Sequence, residues 1–169
     1  KRLRADCDPR DVIDYDDACL LPGFVNAHCH LEEGHLRERV SPSGGFSKWF
    51  RRLDQEHHAQ LESSSVRERI ANAIRLGVGE LLSHGTTTVY DVSVTGMPAD
   101  ILTGFPLRTI CAMECSSLAG KQALALKDAA SYLERPQTAL LRRTVIPHSL
   151  YACSAELLSA LSQESFQQA

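Results

Sequence analysis

The spacing of apolar residues changes several times along this chain, and each change marks an element. Pro22-Gly23 breaks the chain before Phe24-Val25-Asn26-Ala27-His28, a mostly apolar run that predicts a strand over 24–28. Ahead of it, Val12-Ile13-Asp14 and Ala18-Cys19-Leu20-Leu21 predict two short strands. Residues 31–45 are charged, then rich in Gly, Pro and Ser, and predict a long loop. Phe46, Trp49, Phe50 and Leu53 share one helical face and predict a helix over 46–62. Val66, Ile70, Ala73, Ile74, Gly77, Val78, Leu81 and Leu82 keep helical spacing and predict a helix over 66–84. Ser65 and Glu68 fit a capping box at its start, and Gly85 fits a stop.

Strands then alternate with helices. Thr86-Thr87-Thr88-Val89-Tyr90-Asp91-Val92 is β-branched and predicts a strand, as do residues 106–113 and 143–147. Helices are predicted over 121–134, ended by Pro136, and over 155–161, capped by Ser154. Four strand–helix units predict an α/β fold with parallel strands. Chemistry in such folds gathers at the carboxyl ends of strands. His28 and His30, Asp91, Glu114 and His148 all fall there.

The His28-Cys29-His30 triplet carries the sharpest chemistry. Side chains two apart on a strand point the same way, so a strand running through His30 turns both imidazoles to one side. Histidine is the commonest metal ligand, and zinc accepts it at about 2.0–2.1 Å. The expectation is a divalent metal held by His28 and His30.

Composition narrows the setting. The 169 residues are 43% hydrophobic with a formal charge of −3, which argues against a disordered chain and gives no global attraction to nucleic acid or an anionic membrane. No apolar stretch nears the roughly 18 residues of a membrane span. Cys7, Cys19, Cys29, Cys111, Cys115 and Cys153 follow no disulfide framework and are expected as reduced, buried thiols of a cytoplasmic protein. A complete small nucleotide-binding domain is disfavoured, because no Gly-x-Gly-x-x-Gly or phosphate loop follows any strand.

Three motifs together resemble a known family. Pro22-Gly23-Phe24-Val25-Asn26-Ala27-His28-Cys29-His30-Leu31-Glu32 resembles the first-strand signature of the amidohydrolase superfamily. Gly85-Thr86-Thr87-Thr88-Val89 followed by Asp91 is similar to its second-strand segment. Pro147-His148-Ser149-Leu150-Tyr151 with Ser154 is similar to the fourth-strand segment of its cytosine-deaminase-like, chlorohydrolase-like branch. The resemblance implies a (β/α)8 TIM-type barrel with a small β-sandwich. Residues 1–22 would supply a partial sandwich segment and 23–169 the first four strand–helix units. It implies one divalent metal, zinc or iron, with His28 and His30 as ligands. His148 would contact the substrate. The reaction implied is hydrolysis of a C–N bond other than a peptide bond, with ammonia leaving a nitrogen heterocycle.

The family's other ligands are a His after the fifth strand and an Asp after the eighth, and its acid/base Glu also follows the fifth strand. None has a counterpart here, and a barrel needs about 250 residues. The expectation is an N-terminal half of a longer enzyme, with no catalytic acid/base in this stretch. The competing expectation is a non-catalytic half-barrel that associates through unpaired sheet edges, consistent with a possible homodimer. Glu32 is the better of two adjacent carboxylates for a substrate contact, and Trp49 is a substrate-binding candidate on the first helix. Asp91 and Glu114 are expected to order turns, His84 to suit a helix terminus, and His57-His58 to be an exposed pair.

Overall fold

The computed structural model describes residues 8–58, 63–117 and 122–166. Four strands, β1 (Phe24–Cys29), β2 (Thr86–Ser93), β3 (Arg108–Cys115) and β4 (Leu141–Pro147), form one parallel sheet in chain order. Helices α1 (Phe46–His58) and α2 (Ser64–Ser83) join β1 to β2. Then α3 (Met97–Leu102) joins β2 to β3, α4 (Gln122–Leu133) joins β3 to β4, and α5 (Ala155–Phe166) follows. Parallel strands need such crossovers, because a tight turn can only reverse the chain.

One face of the sheet is buried under helices. Val66, Ile70, Ile74 and Val78 of α2 recur every four residues and are all buried. They pack in one cluster with Val89, Cys111, Met113, Leu141 and Val145 from the strands and Leu157 and Leu161 from α5. Fully burying such a side chain contributes about 1.5–3 kcal/mol. The opposite face is barer: Val25 on β1 and Ile110 on β3 are exposed.

Several expectations need correction. Neither 12–14 nor 18–21 is a strand; the described residues before Phe24 hold a 3₁₀ turn, Pro9–Asp11, and a turn at Asp16–Asp17. A strand is held by a neighbour, and no described strand lies beside these residues. The expected loop 31–45 opens instead as a 3₁₀ helix, Leu31–Leu36, with Leu31, Glu32, His35 and Leu36 buried. The capping box is absent: α2 starts at Ser64, Ser63 sits at its N-cap without a side-chain bond, and Ser65 lies inside the helix. Strand β3 begins and ends two residues later than 106–113. Cys19 is exposed, not buried. Cys7, residues 59–62, residue 121 and the side chains of His57 and His58 lie outside the described residues.

The Ser154 cap holds: its Oγ accepts from Leu157 N–H at 3.2 Å. Gly85 ends α2 with φ +79, and its carbonyl accepts from Phe24 N–H at 2.8 Å, tying β1 to the start of β2. Gly96, at φ +69, starts α3, and an added Cβ would stand 3.0 Å from two Tyr132 ring atoms. Gly96→Ala should therefore cost about 1–3 kcal/mol, read as a lower midpoint in chemical denaturation. A midpoint within error of the parent would contradict this.

Candidate metal centre

The site lies where β1, β3 and β4 end. Strand β1 spends three residues, from Asn26 to Cys29, where β2 spends two, from Val89 to Asp91. This bulge falls at Ala27–His28, and bulges re-aim side chains. His28 N–H donates to Asn26 Oδ1 at 3.2 Å. The two rings meet edge to face, with His28 Nε2 and His30 Nε2 only 3.1 Å apart. Nitrogens bound to one tetrahedral zinc at 2.0–2.1 Å stand about 3.3 Å apart, so the pair fits two positions of such a centre. Among the described residues, no third His, Cys, Asp or Glu completes a cluster that could enclose a metal.

The two adjacent carboxylates face different surroundings. Glu32, expected at the substrate, is only 1% exposed and points away from open space. Its carboxylate accepts from Ser93 Oγ at 2.8 Å, Val94 N–H at 2.5 Å, Thr95 N–H at 3.4 Å and the Thr95 hydroxyl. It thus clamps the β2–α3 connection to the end of β1. Glu33 is the one that stays at the site, with Oε1 4.0 Å from His30 Nδ1. Burial raises the Glu33 carboxyl above its usual range; His30 and His148 oppose this and the Glu32 and Glu114 charges add to it. The signal was available in principle: in a 3₁₀ turn residues three apart eclipse, so residue 33 follows residue 30.

His148 lies two residues beyond Ile146, which is paired with Glu114 across β3 and β4, so His148 and Glu114 share a face. His148 N–H donates to the Cys115 carbonyl at 2.9 Å, and His148 Nδ1 lies 3.0 Å from Glu114 Oε2. The Tyr151 ring stands edge-on to His148 at 6.4 Å. Sequence reasoning had Glu114 ordering a turn; the structure makes it the partner of His148. Trp49 is half-buried on α1, its ring 5.7 Å from that of Phe46. No hydrogen bond or ring contact among the described residues brings it to His28, His30 or His148. His84 caps α2, its Nδ1 2.7 Å from the Glu80 carbonyl.

Asp91 is not on the histidine face. It lies two residues from Val89 in the core, and alternation turns it toward the helices. Fully buried, it accepts from Leu31 N–H at 2.8 Å, while Oδ2 has no hydrogen-bond partner among the described residues. Burial pushes Asp91 up to about 7, with Glu32 and Glu33 adding and the Leu31 bond opposing. Burial, with the Asp91 charge beside it, pushes the Cys29 thiol up to about 11. An acid whose folded affinity for its proton exceeds its unfolded affinity stabilises the fold below about pH 4. That contribution is lost as pH rises from about 4 to 7. Asp91→Asn keeps the acceptor for Leu31 N–H and removes the titration. The loss of stability between pH 4 and 7 should shrink by a few kcal/mol, at ~1.4 kcal/mol per tenfold change in proton affinity. Parallel stability–pH curves for parent and variant would contradict this assignment.

The amidohydrolase family model matches residues 19–168. The chain belongs to the amidohydrolase family. A 5-methylthioadenosine/S-adenosylhomocysteine deaminase of Bacillus cereus (strain G9842) is 28% identical over 157 residues, covering 88% of this chain and 35% of that protein. The chain therefore spans about a third of the curated relatives it matches. Its fold matches Helicobacter pylori aminofutalosine deaminase in complex with methylthio-coformycin, with TM-score 0.67 at 19% identity, covering 87% of this chain and 35% of that one. It also matches atrazine chlorohydrolase TrzN from Arthrobacter aurescens TC1 complexed with zinc, with TM-score 0.68 at 19% identity, covering 88% and 39%. The parallel four-strand sheet is thus part of an amidohydrolase barrel.

Proposed function

We propose that this chain carries the first-strand metal ligands of a hydrolase that deaminates a nitrogen heterocycle. The observation that carries the reading is the placement of His28 Nε2 and His30 Nε2 3.1 Å apart at the end of β1, within the amidohydrolase match. His28 and His30 would hold one divalent metal, and zinc suits their imidazole nitrogens. Such a bound metal supplies a water acidified to about pKa 7, a nucleophile at neutral pH. The remaining donors come from outside the described residues. Glu33, beside His30, restrains that ring. His148 contacts the heterocycle through the ring nitrogen not bonded to Glu114, and Trp49 stands as a weaker candidate on α1.

The substrate class is an amino-substituted nitrogen heterocycle, supported by the deaminase relative and the triazine-acting structural neighbour. No nucleic-acid partner is proposed, in line with the charge of −3. No described helix is long and apolar enough to cross a membrane. We place the protein in the cytoplasm, a reading supported by five described cysteines without disulfides. A homodimer is compatible with the exposed Phe24 and Val25 on edge strand β1. Ammonia release should be assayed across 5′-methylthioadenosine, S-adenosylhomocysteine, guanine, cytosine and amino-triazines, with and without a chelator. Chelator-sensitive ammonia release supports the reading; no release from any of them with metal bound would overturn it.

A further inference from the structure

The Glu114–His148 pair carries an inference about what the site reads in its substrate. An ionised carboxylate only accepts hydrogen bonds. At 3.0 Å from Glu114 Oε2, His148 Nδ1 must therefore be the donor. A neutral imidazole has one donor and one acceptor, and the bond made by one nitrogen sets the state of the other. With Nδ1–H committed to Glu114, the lone pair sits on Nε2. Among the described residues Nε2 has no hydrogen-bond partner. The arrangement is held from both sides, because Glu114 is the penultimate residue of β3 and the His148 backbone is bonded to the Cys115 carbonyl. The Glu114 side chain is 13% exposed and that of His148 31%, so the pair is sunk at Glu114 and open at His148.

We propose that Glu114 is a positioning residue that fixes His148 as the Nδ1–H tautomer, so that Nε2 accepts a hydrogen bond from an N–H of the substrate. This rests on the hydrolase reading for the identity of that N–H, an exocyclic amine or a ring N–H of the heterocycle. Heterocycles that present only a lone pair at this point lose the bond and leave both acceptors facing each other. Selection is strong in such cases because a site built for a polar partner rejects an analogue that lacks it.

The test is the tautomer itself. Protein labelled with ¹⁵N-histidine is examined by long-range ¹H–¹⁵N correlation at a pH where the rings are neutral, with His148 assigned by its absence in His148→Gln. The expected result is a protonated Nδ1 and a bare Nε2. Glu114→Leu should reverse this to the Nε2–H form that unrestrained histidine favours in water. Glu114→Gln, which keeps a carbonyl acceptor, should retain the original tautomer. With an active amino-heterocycle, KM should rise about tenfold in Glu114→Leu, with a smaller change in kcat and recovery in Glu114→Gln. An Nε2–H tautomer in the parent protein overturns the proposal whether or not any variant folds, as does a Leu variant that keeps Nδ1–H. The expected tautomer in a protein that turns over no amino-heterocycle supports the positioning and overturns the hydrolase reading instead.

Discussion

Replacing His28 and His30 together with alanine should abolish metal binding and lower turnover by at least about 1000-fold. The expectation follows from ligand number. A catalytic zinc site usually has three protein ligands and an open position. Losing two leaves too few donors, whatever the rest of the protein supplies. Changes to residues that merely support ligands already cost roughly 10–100-fold, so removing the ligands should cost more. The single variants are informative as well, because His28 near the end of β1 and His30 just past it bring their Nε2 atoms within 3.1 Å of each other. Each should weaken binding, and neither should unfold the protein, since His28 is exposed and His30 half-exposed. Metal content per chain, measured together with turnover, checks this. A double variant that retains metal and activity would move the centre elsewhere.

Glu32→Ala should destabilise the protein by roughly 3–5 kcal/mol, lowering its melting temperature by about 10 °C. Glu32 is buried and its carboxylate gathers donors from Ser93, Val94 and Thr95. Truncation leaves these groups facing a void with no acceptor, and an orphaned buried donor costs more than the bond contributed. The change should also loosen the end of β1, because the clamp joins the 3₁₀ turn after His30 to the β2–α3 connection. Metal affinity should fall with it, because the turn that Glu32 anchors follows His30 directly. Calorimetric melting of parent and variant decides the matter: a shift within about 2 °C would show that the clamp contributes little.

What could be read from the residues tracks the physics of each element. The approach of His28 and His30 was legible from their i, i+2 spacing, but β1 ends at Cys29 and a bulge between Asn26 and Cys29 helps aim the rings, so alternation alone does not account for it. The α2 core stripe was legible from its spacing too, its period surviving in Val66, Ile70, Ile74 and Val78. Glu32 stands as the better substrate contact of the two glutamates when both are read within a loop over 31–45. A 3₁₀ turn after His30 sends one inward and leaves the other at the site, and nothing in two adjacent glutamates distinguishes them before that turn is known. Asp91 was noted at a strand end and expected to order a turn, although parity with Val89 could have turned it to the helix face. The short helix α3 was missed, yet Gly96-Met97-Pro98 carried a glycine for positive φ and a proline for a first turn. Strands at 12–14 and 18–21 were over-read from β-branched and apolar residues alone; Ile13, Leu20 and Leu21 are exposed, with no described strand to pair them.

X-ray absorption at the zinc edge of the metal-loaded protein tests the assignment of His28 and His30 as metal ligands. With both rings bound, the inner shell lies at about 2.0–2.1 Å with the outer-ring scattering of at least two imidazoles, and the His28→Ala, His30→Ala double variant retains no protein-bound zinc signal. An inner shell without imidazole, or one unchanged by the double substitution, would contradict the assignment.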